Sequence, residues 1–162
     1  MVKTSILFIA GLVACSVAVA QNKITGKWKP VFFSMDKIIT ADIKADTVYL
    51  SDTLDVVLKD DKDPAASKEL MKFMAGVMLE KMKNTEQEFL AAGEYIETNT
   101  KRNTTKKGTY AFEASNNLLT TTIGNKTSTF IVSFKNDKLI LTGELESRNG
   151  KKGSLIIEHE RL

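Results

Sequence analysis

Through the second half of the chain, apolar side chains recur at every second position. Tyr110 and Phe112 share one parity, as do Phe130, Val132 and Phe134, then Leu139 and Leu141, and at the end Leu155, Ile157, His159 and Arg161. Period-two alternation marks strands with one buried and one wet face. Turn-forming pairs divide the segments: Ala92-Gly93, Asn116-Asn117, Gly124-Asn125, Asn136-Asp137 and Asn149-Gly150, with a polar stretch from Asn103 to Lys107. Near the start, Trp28, Pro30 and Phe32 take one parity and Lys27 and Lys29 the other, which predicts a first strand with Trp28 and Phe32 facing in. The count comes to about eight strands, and eight antiparallel strands can close into an up-and-down barrel with no exposed edge.

Between the first strand and this meander the period changes. Asp63-Pro64 reads as an N-cap followed by proline at the first helical position. From there Leu70, Phe73, Met74, Val77, Met78 and Lys81 follow the spacing of an amphipathic helix running to about Lys83. Four methionines, Met71, Met74, Met78 and Met82, sit on it. A shorter helix with Leu54, Val57 and Leu58 on one face is predicted after Ser51-Asp52, whereas residues 38–50 give no clear period beyond extended character around Val48 to Leu50. The fold class is therefore mainly β, an eight-stranded antiparallel barrel with a helical insertion between its first and second strands.

The N-terminus changes the expected compartment. Lys3, an apolar run from Ile6 to Val17 and the triplet Ala18-Val19-Ala20 have the layout of a secretory signal, and the run is shorter than the roughly 20 residues of a spanning helix. Residues 1–20 are read as a signal peptide and 21–162 as one domain, exported to the periplasm or secreted. Leu12-Val13-Ala14-Cys15 allows a second reading, cleavage and acylation at Cys15, which would anchor the protein to a membrane. Cys15 is the single cysteine, so neither reading leaves a disulfide in the domain, and stability must come from a packed core. A formal charge of +3 is too small to direct the chain to nucleic acid.

Gly26-Lys27-Trp28 is a G-x-W on the first strand, and Phe89-Leu90-Ala91-Ala92-Gly93-Glu94-Tyr95 is similar to an F-x-x-D-G-x-Y hairpin with Ala92 in place of Asp. With an apolar last strand closing at Arg161, this resembles the bacterial lipocalin-like family. The resemblance implies a calycin-type barrel in which Arg161 packs across the Trp28 ring, with Gly26, Trp28 and Arg161 as structural motif residues. It also implies a barrel interior able to hold a small apolar or amphipathic molecule. The helical insertion departs from longer lipocalins, whose main helix follows the barrel.

Candidate chemistry is sparse. His159 is the single histidine, so a zinc site has no partners to draw on, and a structural histidine or a ligand contact are its two readings. Asp60, Asp61 and Asp63 lack the glycine and glutamate of a calcium loop and read as connector and helix cap. Glu144, Glu146, Glu158 and Glu160 take the outward parity, and no nucleophile elbow, phosphate loop or dinucleotide fingerprint occurs. No enzyme, cofactor or metal is expected. Lys101, Arg102, Lys106 and Lys107 gather near one hairpin end, as turn charge or as an anion site at a barrel rim. The candidate lining is Phe32, Tyr110, Phe112, Phe130, Phe134, Leu139, Leu141 and His159, serving as packed core or cavity wall. Two functions follow: a non-enzymatic binder of a small hydrophobic ligand, or a filled barrel whose Met-rich helix docks an envelope protein, recognisable by Met71, Met74 and Met78 exposed as one patch.

Overall fold

A computed structural model describes residues 23–146 and 152–162. The signal-peptide and Cys15 expectations, and the Asn149-Gly150 turn, lie outside those residues. Among the described residues, ten strands form one antiparallel sheet: β1 (Gly26–Met35), β2 (Ile39–Asp42), β3 (Thr47–Leu50), β4 (Thr85–Phe89), β5 (Glu94–Asn99), β6 (Thr104–Glu113), β7 (Leu118–Ile123), β8 (Lys126–Lys135), β9 (Lys138–Glu146) and β10 (Lys152–Arg161). A short helix α1 (Leu54–Val57) and the long helix α2 (Pro64–Lys83) lie between β3 and β4. The strands β4 to β10 pair in sequence order, and β10 returns to pair with β1, which also pairs with β4. The result is a closed eight-stranded antiparallel barrel of β1 and β4 to β10, with the helices inserted between its first and second strands, as the patterning predicts.

The segment left open by the sequence forms the hairpin β2–β3. It attaches to the far half of β1, Phe32 to Met35 pairing with Asp42 to Ile39, while Gly26 to Trp28 pair with Phe89 to Gln87 of β4. One edge of β1 thus serves two neighbours in turn, so β2 and β4 diverge beyond Trp28. Helix α2 packs on β1, β2 and β3. It begins as the sequence predicts, with Pro64 in its first turn and the Asp63 carboxylate accepting from the Ala66 N–H at 3.0 Å. Asp61 accepts from Asp63 N–H and from the Ser67 hydroxyl, so these acids organise the helix start. In α1, Leu54 and Leu58 are buried but Val57 is exposed, against the single-face reading.

A β-bulge corrects one assignment. Opposite β10, Trp28 pairs with Arg161 and Pro30 with His159, but Phe32 then faces Glu158 and Phe33 faces Ile157, with a register shift between Pro30 and Phe32. Cross-strand partners share a face, so the extra residue moves Phe32 to the outer side and places Phe33, fully buried, inside. Phe32 is therefore not barrel lining. The sequence offers no marker for the bulge, because Val31, Phe32 and Phe33 would each suit either face.

The end where the chain enters β1 is solid. Trp28, Phe89, Tyr95, Tyr110, Leu119, Val132, Leu139 and Leu141 form one buried cluster with Ile24. Phe89 lies 5.0 Å from the Tyr95 ring and 5.2 Å, edge-on, from Tyr110. The Tyr110 hydroxyl donates to the Leu90 carbonyl and the Trp28 indole N–H to that of Ile24, at 3.0 and 2.7 Å. The expected contact is present: the Arg161 guanidinium carbon stands 4.8 Å from the Trp28 ring centroid. The same guanidinium donates to the Lys23 and Thr25 carbonyls. Gly26 lies beside it at φ +131°, a conformation that L side chains rarely adopt, and a Cβ there would make only ordinary contact, 3.6 Å, with the guanidinium carbon. Gly93, at φ +82°, turns the Phe89–Tyr95 hairpin, with Ala92 before it.

Candidate functional site

Following the register around the barrel shows what faces inward. The pairs Pro30–His159, Leu139–His159, Leu141–Ile157, Val132–Leu141, Phe134–Leu139, Phe130–Leu119 and Phe112–Leu119 link one continuous inner surface. Tyr110, Phe112, Phe130, Phe134, Leu139, Leu141 and His159 therefore all lie on the inner face. They do not all meet one space. Tyr110 and Leu139 are buried in the solid end with Phe112 packed against them, and Phe134 sits at its rim, 6.4 Å from the Trp28 ring.

A hollow of about 520 Å³ borders Trp28, Phe134 and Arg161 on the outside of the closed end, and a more apolar space lies toward the other end, beneath α2. A partly enclosed cavity of about 580 Å³ is walled by Met74, Met78 and Met82 of α2, by Met35, Leu155 and Ile157 of β1 and β10, and by Gln87 and His159. Its volume falls within the usual range for small-molecule pockets, roughly 300–1,000 Å³. Of the sequence-predicted lining, His159 alone reaches this cavity. Phe130 and Leu141 instead border a smaller adjoining space of about 280 Å³, whose other walls include Gln87, Glu97, Thr121 and Ser128. One wall of the mouth is thus apolar and the other polar. Sequence reasoning missed Met35, Gln87 and Leu145 as wall residues, although Leu155 and Ile157 carried the inward parity.

Helix α2 divides its apolar surface unequally. Ala75 and Leu79 are buried against β1 and the β2–β3 hairpin, and Met71, Met78 and Met82 pack beside them. The stripe that the sequence spacing singles out does not point into that packing. Leu70, Phe73, Met74 and Val77 are 56 to 70% exposed. Since Met71 and Met78 pack against the barrel, the patch anticipated from the three methionines does not form, and its place is taken by Leu70, Phe73, Met74 and Val77. Phe73, Met74 and Val77 border the cavity entrance. The helix is tied at both sides by exposed ion pairs, Lys83 to Asp46 at 2.9 Å and Glu80 to Lys101 at 2.5 Å. Exposed pairs of this kind add little to stability, so α2 is held mainly by its buried face. Lys101, Arg102 and Lys106 do gather, across a groove from Phe73 and Val77, where Lys106 stands 3.8 Å from Glu97.

His159 is fully buried, and neither ring nitrogen has a well-aligned hydrogen-bond partner. Burial pushes its pKa down to about 4; the Leu139 and Ile157 backbone acts the other way without lining up on either nitrogen. The ring is therefore neutral at physiological pH, with one donor and one acceptor nitrogen. Gln87 Oε1 is likewise buried without a partner. Burial also raises the Tyr95 phenol well above its usual value, so it stays protonated. Among the described residues no three His, Cys, Asp or Glu side chains converge as metal ligands.

No protein-family model matches the chain, and no curated protein matches it significantly. Among solved structures, the chain is similar to a DUF4847 family protein from Bacteroides vulgatus ATCC 8482 at 12% identity and a TM-score of 0.43, over 86% of this chain and 96% of that one. It is also similar to aphrodisin, a sex pheromone from female hamster, at 11% identity and a TM-score of 0.39, over 85% of this chain and 74% of that one. Neither likeness is close enough to bear on function.

Proposed function

We propose that this protein is a non-enzymatic, exported binder of a small apolar or amphipathic molecule, held by burial at the barrel mouth beneath α2. The observation that carries the reading is the cavity of about 580 Å³ walled by methionines and aliphatic side chains, with the exposed stripe of α2 beside its entrance. Flexible thioethers adapt to guests of irregular shape. Burial of apolar ligand surface stabilises a complex by roughly 25 cal/mol per Å², before the entropy lost on association is subtracted. The contiguous exposed apolar residues Leu70, Phe73, Met74 and Val77 also favour a second reading, in which α2 docks an envelope protein.

A single substitution separates the two readings. Met78→Trp fills the cavity from a half-buried position while leaving Leu70, Phe73, Met74 and Val77 in place. Titration with the neutral fluorophore N-phenyl-1-naphthylamine is expected to show saturable binding to the native protein and loss of at least about tenfold in affinity in the variant. Equal binding by both proteins would remove the cavity from the account and leave the docking reading.

A further inference from the structure

The inner face of the barrel is not apolar all the way round. Strand residues two apart share a face, so beyond the buried Tyr95 the inward side of β5 continues with Glu97, and its cross-strand partner Lys106 lies on the inward side of β6. On β8 the inward set that contains Phe130 runs back through Ser128 to Lys126. Past Tyr95 and Phe130 these inward positions carry polar and charged groups instead of completing a core. Lys81 of α2 joins them. Lys81 and Glu97 both border the cavity beneath α2, the smaller adjoining space and the groove beside the β5–β6 turn, so the three meet there.

Cations prevail on this wall. Lys81, Lys101, Arg102, Lys106 and Lys126 line the three spaces against Glu80 and Glu97. Glu80 is taken up by Lys101 at 2.5 Å, and Glu97 stands 3.8 Å from Lys106. Among the described residues, Lys81, Arg102 and Lys126 have no ion-pair partner. The excess of positive charge equals the formal charge of the whole chain, +3, so the rest of the chain is balanced and the attraction for anions is concentrated here. On the facing side Met35, Met78, Met82, Leu155 and Ile157 present apolar surface without charge.

Resting on the reading of this cavity as a binding site, we infer that its ligand is an anionic amphiphile, whose carboxylate or phosphate headgroup is held by Lys81, Lys106 and Lys126 while its apolar body lies against the α2 methionines, Leu155 and Ile157. All three ammonium groups belong to exposed residues, so a headgroup reaches them without an unpaired charge being buried. Each is a compact charge with three rotatable donors, which suits either anion. Ser128, exposed on the same wall, adds a hydroxyl donor. Glu97 does not cancel the effect, because Lys106 stands beside it and the other two cations have no carboxylate of their own. A cationic amphiphile would meet like charge at the same place and be disfavoured.

The test compares four probes of one chain length, decanoate, decyl phosphate, 1-decanol and decyltrimethylammonium, with acetate as an anion that has no apolar body. Each displaces the neutral N-phenyl-1-naphthylamine from the protein at neutral pH. At low salt the better of the two anions is expected to lead decanol by about tenfold, with the ammonium probe weakest and acetate without effect. That lead should shrink at least about threefold in roughly 0.5 M salt, since exposed charges are screened. Lys81→Gln and Lys126→Gln, both at exposed positions, should each weaken the anions about threefold and leave decanol unchanged, whereas Lys135→Gln, at the closed end, removes the same charge and leaves the order as it was. Decanol level with or ahead of both anions, the ammonium probe ahead of them, displacement by acetate, or an equal loss in all three variants would overturn the inference while leaving the cavity a binding site. Displacement by none of the probes would overturn the cavity reading and this inference together.

Discussion

The two ends of the barrel are built from different materials. At the end closed by Trp28, aromatic rings meet at 5.0 and 5.2 Å, and the indole N–H, the Tyr110 hydroxyl and the Arg161 guanidinium each donate to a backbone carbonyl. At the mouth the side chains are thioethers and aliphatics around a space, and the polar atoms of His159 and Gln87 lack partners. Dense packing with satisfied polar groups specifies one structure and resists change. Loose, adaptable packing tolerates side-chain exchange more readily and, under the proposed function, leaves room for a guest. Under the proposed function, stability and binding capacity fall at opposite ends of one sheet.

The contrast is broken most directly at the closed end. Trp28→Ala is expected to lower unfolding free energy by about 3–5 kcal/mol in urea titrations, as for other large aromatics removed from a core. At the mouth, Met78→Leu should change it by less than about 1.5 kcal/mol. Comparable losses at the two positions would erase the distinction.

Next in size is an acid-dependent term from His159. Its pKa is about 4 when folded against an ordinary 6.5, so between those values the unfolded chain binds a proton that the folded chain does not. Stability contributed by the neutral ring is fully present above about pH 6.5, falls as pH drops through the window and is exhausted below about 4, a loss of about 3 kcal/mol. Urea midpoints measured across that window should slope accordingly in the native protein, and the slope should be much shallower in His159→Gln. An identical slope in the variant would assign the effect to other groups.

Arg161→Lys keeps the charge but gives up the planar fork that covers Trp28 and reaches two carbonyls, and a destabilisation of about 1 kcal/mol is expected. The smallest effect belongs to the exposed stripe. Phe73→Ser should leave stability within about 0.5 kcal/mol of native, yet weaken N-phenyl-1-naphthylamine binding measurably. Loss of stability without loss of binding would show that the stripe supports the fold rather than the entrance.

The closed end was far more legible in the sequence than the mouth, for a physical reason. Strict alternation over β6, β8, β9 and β10 fixes which side chains face in, and G-x-W with a terminal arginine marks where the barrel shuts. Asp63-Pro64 likewise locates the start of α2. The mouth depends on departures from periodicity. The bulge beside Val31 exchanges Phe32 for Phe33 within an apolar run, and β2 and β3 are only four residues each, too short to show a period. The spacing of Leu70, Phe73, Met74 and Val77 announces an apolar helix face, but whether that face meets a core or an entrance is decided by where Ala75 and Leu79 pack. The space left between α2 and the barrel has no counterpart in any local pattern.

The central claim, a solid closed end and a receptive mouth, is tested most directly by NMR of protein labelled at the methionine methyls and the Trp28 indole nitrogen, titrated with N-phenyl-1-naphthylamine. The account predicts that the Met35, Met74, Met78 and Met82 methyl signals shift saturably while the Trp28 indole N–H signal stays in place. Methionine signals that do not move at saturating probe, or an indole signal that moves in their stead, would contradict it.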